Sequence, residues 1–219
     1  MRRADTILFD LDGTLTDSGT GIINGVEYAL KKIGMRVDNK ESLRCFIGPP
    51  LQEQFRDFCR ISMKEAGKMV EFYREYYTEK GIFENSVYSG IPELLQYLQE
   101  QGVKLAIATS KPEKFARIIA KHFDIERYFD FIGGARMDGT RTKKSEVIEY
   151  VLEECRFLDR ENIWMVGDRE HDILGAKTTG LFSVGVLYGY GDRKELEIAG
   201  ANKIIKSPGE LVTLWKEGV

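Results

Sequence analysis

The sequence predicts an α/β fold, a doubly wound parallel sheet that carries a small α-helical domain, on three observations. Short, nearly continuous apolar runs alternate with helical patterns from Gly90 onward, as strands buried on both faces require. Between the first apolar run and Gly90 the pattern is helical for about 70 residues, too long for a loop and long enough for a small module. That first run ends in Asp10-Leu11-Asp12-Gly13-Thr14-Leu15-Thr16-Asp17, acidic where a buried strand should stop.

Taken in order, Thr6-Ile7-Leu8-Phe9 has strand length, and Asp10 and Asp12, two residues apart, leave its tip on the same side. Ile22, Ile23, Val26, Ala29, Leu30 and Ile33 recur at helical spacing, and Gly34 supplies a stop. In Arg44-Cys45-Phe46-Ile47-Gly48-Pro49-Pro50-Leu51 two prolines forbid a continuous helix and fix a bend, which either joins two helices or meets substrate. Ser62-Met63-Lys64-Glu65 is a capping-box pattern opening a helix whose stripe is Ala66, Met69, Val70, Tyr73 and Tyr77, with Gly81 expected to end it. Residues 92–101 read as a helix closed by Gly102, 103–108 as a strand, and a further helix starts at Pro112. Strands are expected at 129–132, 163–166, 182–186 and 203–205. Helices are expected at 144–155, at 172–178 and after Ser207-Pro208-Gly209-Glu210. The helical domain is accordingly bounded as 17–87, within a core formed by 1–16 and 88–219.

Composition narrows the function. With 32 Lys+Arg against 35 Asp+Glu, a formal charge of −3 gives no reason to expect a nucleic acid polymer or an anionic membrane surface as partner. The longest apolar runs have strand length, and Met1-Arg2-Arg3-Ala4-Asp5 leads into the acidic motif instead of a signal-peptide core, so a cytoplasmic protein with no membrane contact is expected. Cys45, Cys59 and Cys155 are odd in number and lack metal-ligand spacing, which suits reduced thiols. The histidines are His122 and His171, which excludes a His-rich zinc site and leaves a hard ion held by oxygen.

Ligands of doubly wound sheets bind beyond the carboxyl ends of the strands, so the residues after each apolar run are candidates. Asp10 can attack phosphorus and carry an acyl-phosphate, while Asp12 beside it can move the leaving group's proton. Thr109-Ser110-Lys111 offers hydroxyl and backbone donors to phosphate oxygens, unless Thr109 and Ser110 merely cap the helix at Pro112. In Gly167-Asp168-Arg169-Glu170-His171-Asp172 the two aspartates are four apart and share a face if the helix begins there. His171 reads as a surface residue or an outer neighbour of the site. Converging acids repel unless a cation sits among them, and Mg²⁺ is the natural occupant. A phosphate dianion needs another cation, which Lys143 or Lys144, at the start of a helix, can supply. Arg44, beside the rigid bend, is a long cation suited to the non-reacting end of a substrate.

Together Asp10-x-Asp12-Gly-Thr, Thr109, a lysine before a helix and Gly167-Asp168-x-x-x-Asp172 resemble the haloacid dehalogenase superfamily (HAD) of phosphohydrolases, over essentially the whole chain. The resemblance implies a HAD-like Rossmannoid core with a helical cap that closes over substrate, of the phosphoglycolate phosphatase-like branch. It makes Asp10 the nucleophile and Asp12 the general acid/base. Asp10, the Asp12 main-chain carbonyl and Asp168 would hold Mg²⁺, supported by Asp172, and Thr109 with Lys144 would bind the transferred phosphoryl group. Gly48-Pro49-Pro50-Leu51 with Phe55, and Val186-Leu187-Tyr188-Gly189-Tyr190-Gly191, look most like a 5′-nucleotidase subgroup. Ser110, where Thr-Asn-Lys is common, and Ser145, where Lys-Pro is common, weigh against phosphoglycolate itself. The expected activity is Mg²⁺-dependent hydrolysis of a small phosphorylated metabolite by a monomer or homodimer. Alternatives are a phosphoglycolate phosphatase, a sugar phosphomutase and a regulatory module in which Asp10 accepts phosphate.

Overall fold

The computed structural model describes residues 3–157 and 159–219. The chain divides into two compact units, one of Met1–Thr16 with Val87–Val219 and one of Asp17–Ser86. In chain order the elements are β1 Thr6–Phe9, β2 Thr16–Asp17, α1 Gly19–Lys32, α2 Leu51–Cys59, α3 Met63–Tyr77 and β3 Ser86–Val87. There follow α4 Ile91–Glu100, β4 Lys104–Pro112, α5 Glu113–His122, β5 Phe131–Ala135, α6 Lys144–Cys155, β6 Ile163–Gly167, α7 Glu170–Thr179, β7 Phe182–Val186, α8 Arg193–Ala199, β8 Lys203–Ile205 and α9 Pro208–Glu217.

In the larger unit six strands form one sheet in the order β5-β4-β1-β6-β7-β8, and the pairings are parallel. From β1 the chain builds first toward β5 and then crosses back to β6, so the order reverses at β1, where an open α/β sheet leaves its crevice. Right-handed crossovers put α4 and α5 on one face and α6 to α8 on the other. The α6 face is filled by Val147, Ile148, Val151 and Leu152 packed on Leu8, Ala106, Ala108 and Met165. Fully burying such side chains contributes on the order of 1.5–3 kcal/mol each, and this anchors the strands whose ends carry the acids.

Several boundaries differ from the sequence expectation for physical reasons. β5 begins and ends later than 129–132 and takes in Gly133 and Gly134, where α6 packs closely: a Cβ on Gly133 would lie 2.4 Å from Val151 of α6. β4 runs past 108 to Pro112 through an irregularity between Thr109 and Pro112, so Thr109 and Ser110 do not cap α5. α7 begins at Glu170, which leaves Asp168 in the turn before it and not on a shared helical face with Asp172. β2, β3 and α8 are too short to leave a periodic signal.

The smaller unit packs α1 against α3, with 3₁₀ turns at Lys40–Phe46 and Gly81–Phe83. The capping box is formed: the Ser62 N–H donates to Glu65 Oε2 at 2.9 Å and the Glu65 N–H to Ser62 Oγ at 3.3 Å. α3 ends at Tyr77, before Gly81, because Gly81 is used elsewhere. A Cβ built on Gly21 of α1 would lie 1.9 Å from the Gly81 carbonyl oxygen, so helix and turn touch through backbone. Gly21→Ala is therefore expected to cost about 1–3 kcal/mol in urea denaturation. Gly67→Ala, with only a side-chain amide 3.4 Å away, should be neutral or stabilising by up to about 1 kcal/mol.

Candidate active site

Asp10 follows β1 directly, and its N–H donates to the Val166 carbonyl at 2.9 Å, so the parallel ladder carries it one residue past the strand. The chain then turns back on itself, the Leu15 and Thr16 N–H groups both donating to the Leu11 carbonyl. Gly13 makes this turn possible, since its φ is +82° and a Cβ there would lie 2.2 Å from an Asp168 oxygen. Asp168, just after β6, and Asp172, in the first turn of α7, are both buried with Asp10.

Asp10, Asp168 and Asp172 each place a carboxylate oxygen within 4.8 Å of the other two. Lys144, the first residue of α6, is buried with its Nζ 2.7 Å from Asp10 Oδ1, 2.8 Å from Asp172 Oδ1 and 3.0 Å from the Ala108 carbonyl it donates to. Toward the two aspartates it acts as a point charge, for neither Oδ1 takes a well-directed hydrogen bond from a described protein donor. The Thr109 hydroxyl favours the ionised form of the Asp10 carboxyl. Burial raises the Asp10 carboxyl above its ordinary value, with Lys144 opposing and Asp172 adding to the rise. Asp168 is pushed well up by burial and then by Asp172 and Asp10. Burial works against the charge of Lys144, yet Asp10 and Asp172 together hold the ammonium above its usual value.

These residues fit a hard divalent cation. Three buried carboxyl groups converge beside the Lys144 ammonium, and ionising all of them together calls for further positive charge, which a divalent cation would bring. The directionally unsatisfied oxygens of Asp10 and Asp172 supply oxygen donors.

Asp12 stands apart from the cluster. Its two carboxylate oxygens lie 2.8 and 2.6 Å from Nζ of Lys111, whose side chain is only 5% exposed. The sequence reading used Thr109-Ser110-Lys111 for hydroxyl and backbone donors and missed this side chain, whose direction depends on the irregularity of β4 between Thr109 and Pro112. Of the two candidate lysines it is Lys144 that reaches the acids, while Lys143 is exposed before α6. Ser110 is half-buried. Arg44 belongs to the helical unit, where it is 51% exposed and pairs with Glu41 at 3.3 Å.

The sequence reading also gave no site role to the turn after β7. The Tyr190 N–H donates to Asp168 Oδ2 at 2.8 Å, and a Cβ on Gly189 would lie 2.2 Å from the Gly13 carbonyl and 2.5 Å from Asp168 Cβ. A Cβ on Gly191 would lie 1.9 Å from the Asp168 carbonyl oxygen. Tyr188 anchors the turn by an edge contact with Tyr88, ring centres 5.2 Å apart. Gly189→Ala should therefore shift Asp168 and lower the affinity for a divalent cation such as Mg²⁺ by about tenfold, the scale at which losing a ligand's outer support is felt. Calorimetric titration of the ion checks this, and an unchanged affinity would show that the turn does not position Asp168.

The arrangement has relatives. Residues 7–186 match the model of the haloacid dehalogenase-like hydrolases. The chain is 45% identical over 194 residues to a "5'-nucleotidase" of Pseudomonas aeruginosa, covering 89% of this chain and 87% of that one. It is 42% identical over 186 residues to "Tyrosine-protein kinase PtkA" of Mycobacterium tuberculosis, of whose length it spans 62%. The crystal structure of a "predicted phosphatase" from Clostridium acetobutylicum superimposes with a TM-score of 0.93 at 42% identity, covering 98% of each chain. An acid at the tip of β1, a buried lysine and two further acids after β6 thus stand in a chain that belongs to the haloacid dehalogenase-like hydrolase family.

Proposed function

We propose that the protein is a Mg²⁺-dependent phosphomonoesterase that hydrolyses a small phosphorylated metabolite, of the nucleoside 5′-monophosphate kind, through an aspartyl-phosphate on Asp10. The observation that carries this reading is the division of labour between the two aspartates of the first motif. Asp10 sits among Lys144, Thr109, Asp168 and Asp172, while Asp12 is held separately by Lys111. A carboxylate oxygen of Asp10 attacks phosphorus and the P–O bond to the leaving group breaks. The departing alkoxide takes its proton from Asp12. Asp12, now ionised, accepts a proton from the water that attacks the aspartyl-phosphate, releasing inorganic phosphate and restoring Asp10. Lys144 and Thr109 bind the phosphoryl oxygens as charge builds on them.

Bound by Asp10, Asp168 and the Asp12 main-chain carbonyl, with Asp172 beside them, Mg²⁺ would supply the positive charge that lets a dianion approach these acids. The helical unit acts as the cap, with Arg44 meeting the non-reacting end of the substrate. Likeness to a protein named 5'-nucleotidase supports the substrate class. The enzyme works as a cytoplasmic monomer or homodimer on small molecules.

A screen of phosphorylated metabolites with phosphate release as readout tests the activity. Asp10→Asn should lower turnover by at least about a thousandfold with the fold intact, and chelation by EDTA should abolish wild-type turnover. Full activity in chelator, or a phosphorylated protein that accumulates without releasing phosphate, would contradict the reading. For Asp12→Ala the loss should depend on the leaving group. Phenyl phosphate, which needs a proton at departure, should suffer at least about tenfold more than p-nitrophenyl phosphate, which hardly needs one. Equal losses would remove the acid/base role from Asp12.

A further inference from the structure

Lys111 reaches Asp12 by a local departure from the sheet. Thr109 of β4 is paired with Gly134 of β5 and Pro112 with Ala135, so Ser110 and Lys111 are extra residues with no partner position on β5. Such a bulge bends a strand and re-aims its side chains. It is seated on a position that admits no side chain, since a Cβ on Gly134 would lie 2.5 Å from the Lys111 carbonyl oxygen and 2.7 Å from the Glu113 nitrogen. The bulge is tied on two sides. The Lys111 N–H donates to Thr109 Oγ at 3.2 Å, and Arg141 bridges its flanks, donating from Nε to the Gly134 carbonyl at 2.9 Å and pairing with Glu113 at 3.2 Å. Arg141 also lies over the Tyr150 ring, 3.5 Å from its centre. A strand running straight on would not need these groups.

We propose that Lys111 is a positioning residue for proton transfer: the bulge fixes its ammonium where it grips both oxygens of Asp12 and holds that carboxylate in one orientation toward the leaving group. Lys111 acts through Asp12 and does not bind the transferred phosphoryl group, which distinguishes it from Lys144, in contact with Asp10. The inference rests on the acid/base role proposed for Asp12 above. A carboxylate beyond a strand tip has two free side-chain torsions. An ammonium 2.6 and 2.8 Å from its oxygens removes that freedom without taking an oxygen out of service, because each retains a second lone pair.

The test compares Lys111→Met with Lys111→Arg on p-nitrophenyl and phenyl phosphate, alone and in the Asp12→Ala background. Lys111→Met should lower kcat/KM for phenyl phosphate at least about tenfold more than for p-nitrophenyl phosphate, and Lys111→Arg should restore part of that difference. In the Asp12→Ala background Lys111→Met should leave the ratio of the two substrates unchanged, since the group through which it acts is gone. Gly134→Ala, which displaces the bulge without touching the ammonium, should show the same selective loss. If Lys111→Met depresses both substrates alike, or its effect on the ratio persists without Asp12, Lys111 serves phosphate binding or packing and the inference is overturned. Should Asp12→Ala itself fail to discriminate between the substrates, the fault lies with the acid/base assignment of Asp12. Thermal melting of each variant separates misfolding from both outcomes.

Discussion

Buried carboxylates at the end of a parallel sheet are the constraint on which the rest of the site depends. Burial raises the affinity of Asp10 and Asp168 for protons, and Asp172 beside both of them raises it further. Unpaired charges of this kind cost several kcal/mol each, so the fold must bring cations to them. Lys144 does this from the first turn of α6, which requires α6 and α7 to lie close together. Gly175 of α7 makes the room: a Cβ there would lie 2.7 Å from Cγ of Lys144. Helix packing on that face is thus set by the path of one lysine side chain to two acids as well as by apolar burial.

The same constraint explains why so much of the site is backbone. Covering a carboxylate without placing an apolar group on its oxygens calls for main chain at close range, and main chain approaches closely only where side chains are missing. Gly13 and Gly189 close on Asp168 from two sides, Gly191 meets its carbonyl, and Gly167 leaves space for the Asp172 carboxyl, which a Cβ would approach to 2.2 Å. With the Tyr190 N–H donating to Asp168, the turn after β7 becomes part of the site although none of its side chains need touch substrate.

What was legible in the sequence divides along physical lines. Apolar runs and helix caps reported β1, β6, β7, α6 and α9 well, because burial and capping are local properties of a few neighbouring residues. Asp10, Asp168 and Asp172 were visible as acids after apolar runs, and the need for a lysine among them followed from charge. The choice of Lys144 over Lys143 needed the direction of a side chain at a helix start, which spacing does not give. Gly133 and Gly134 carry β5 beyond the expected run, because each admits a close neighbour from a distant segment. Lys111 was hidden by a bulge, a feature of pairing between distant segments, and the turn of Gly189 and Gly191 by contacts with residues more than twenty positions away.

Two lysines for four aspartates is also an unequal division, and the inequality has a consequence. Lys144 is shared between Asp10 and Asp172, so its charge is committed to the acid cluster. Lys111 serves Asp12, the carboxylate proposed to gain and lose a proton in each cycle. Had one lysine served both aspartates of the first motif, each proton transfer proposed for Asp12 would have changed the charge facing the ammonium that also serves Asp10. Separate counter-charges, one delivered by the start of α6 and the other by the bulge in β4, would let the proposed acid change its state without drawing on the ammonium beside the proposed nucleophile. The bulge and its glycine are then the structural means by which a single sheet end holds two carboxylates, two residues apart, on separate counter-charges.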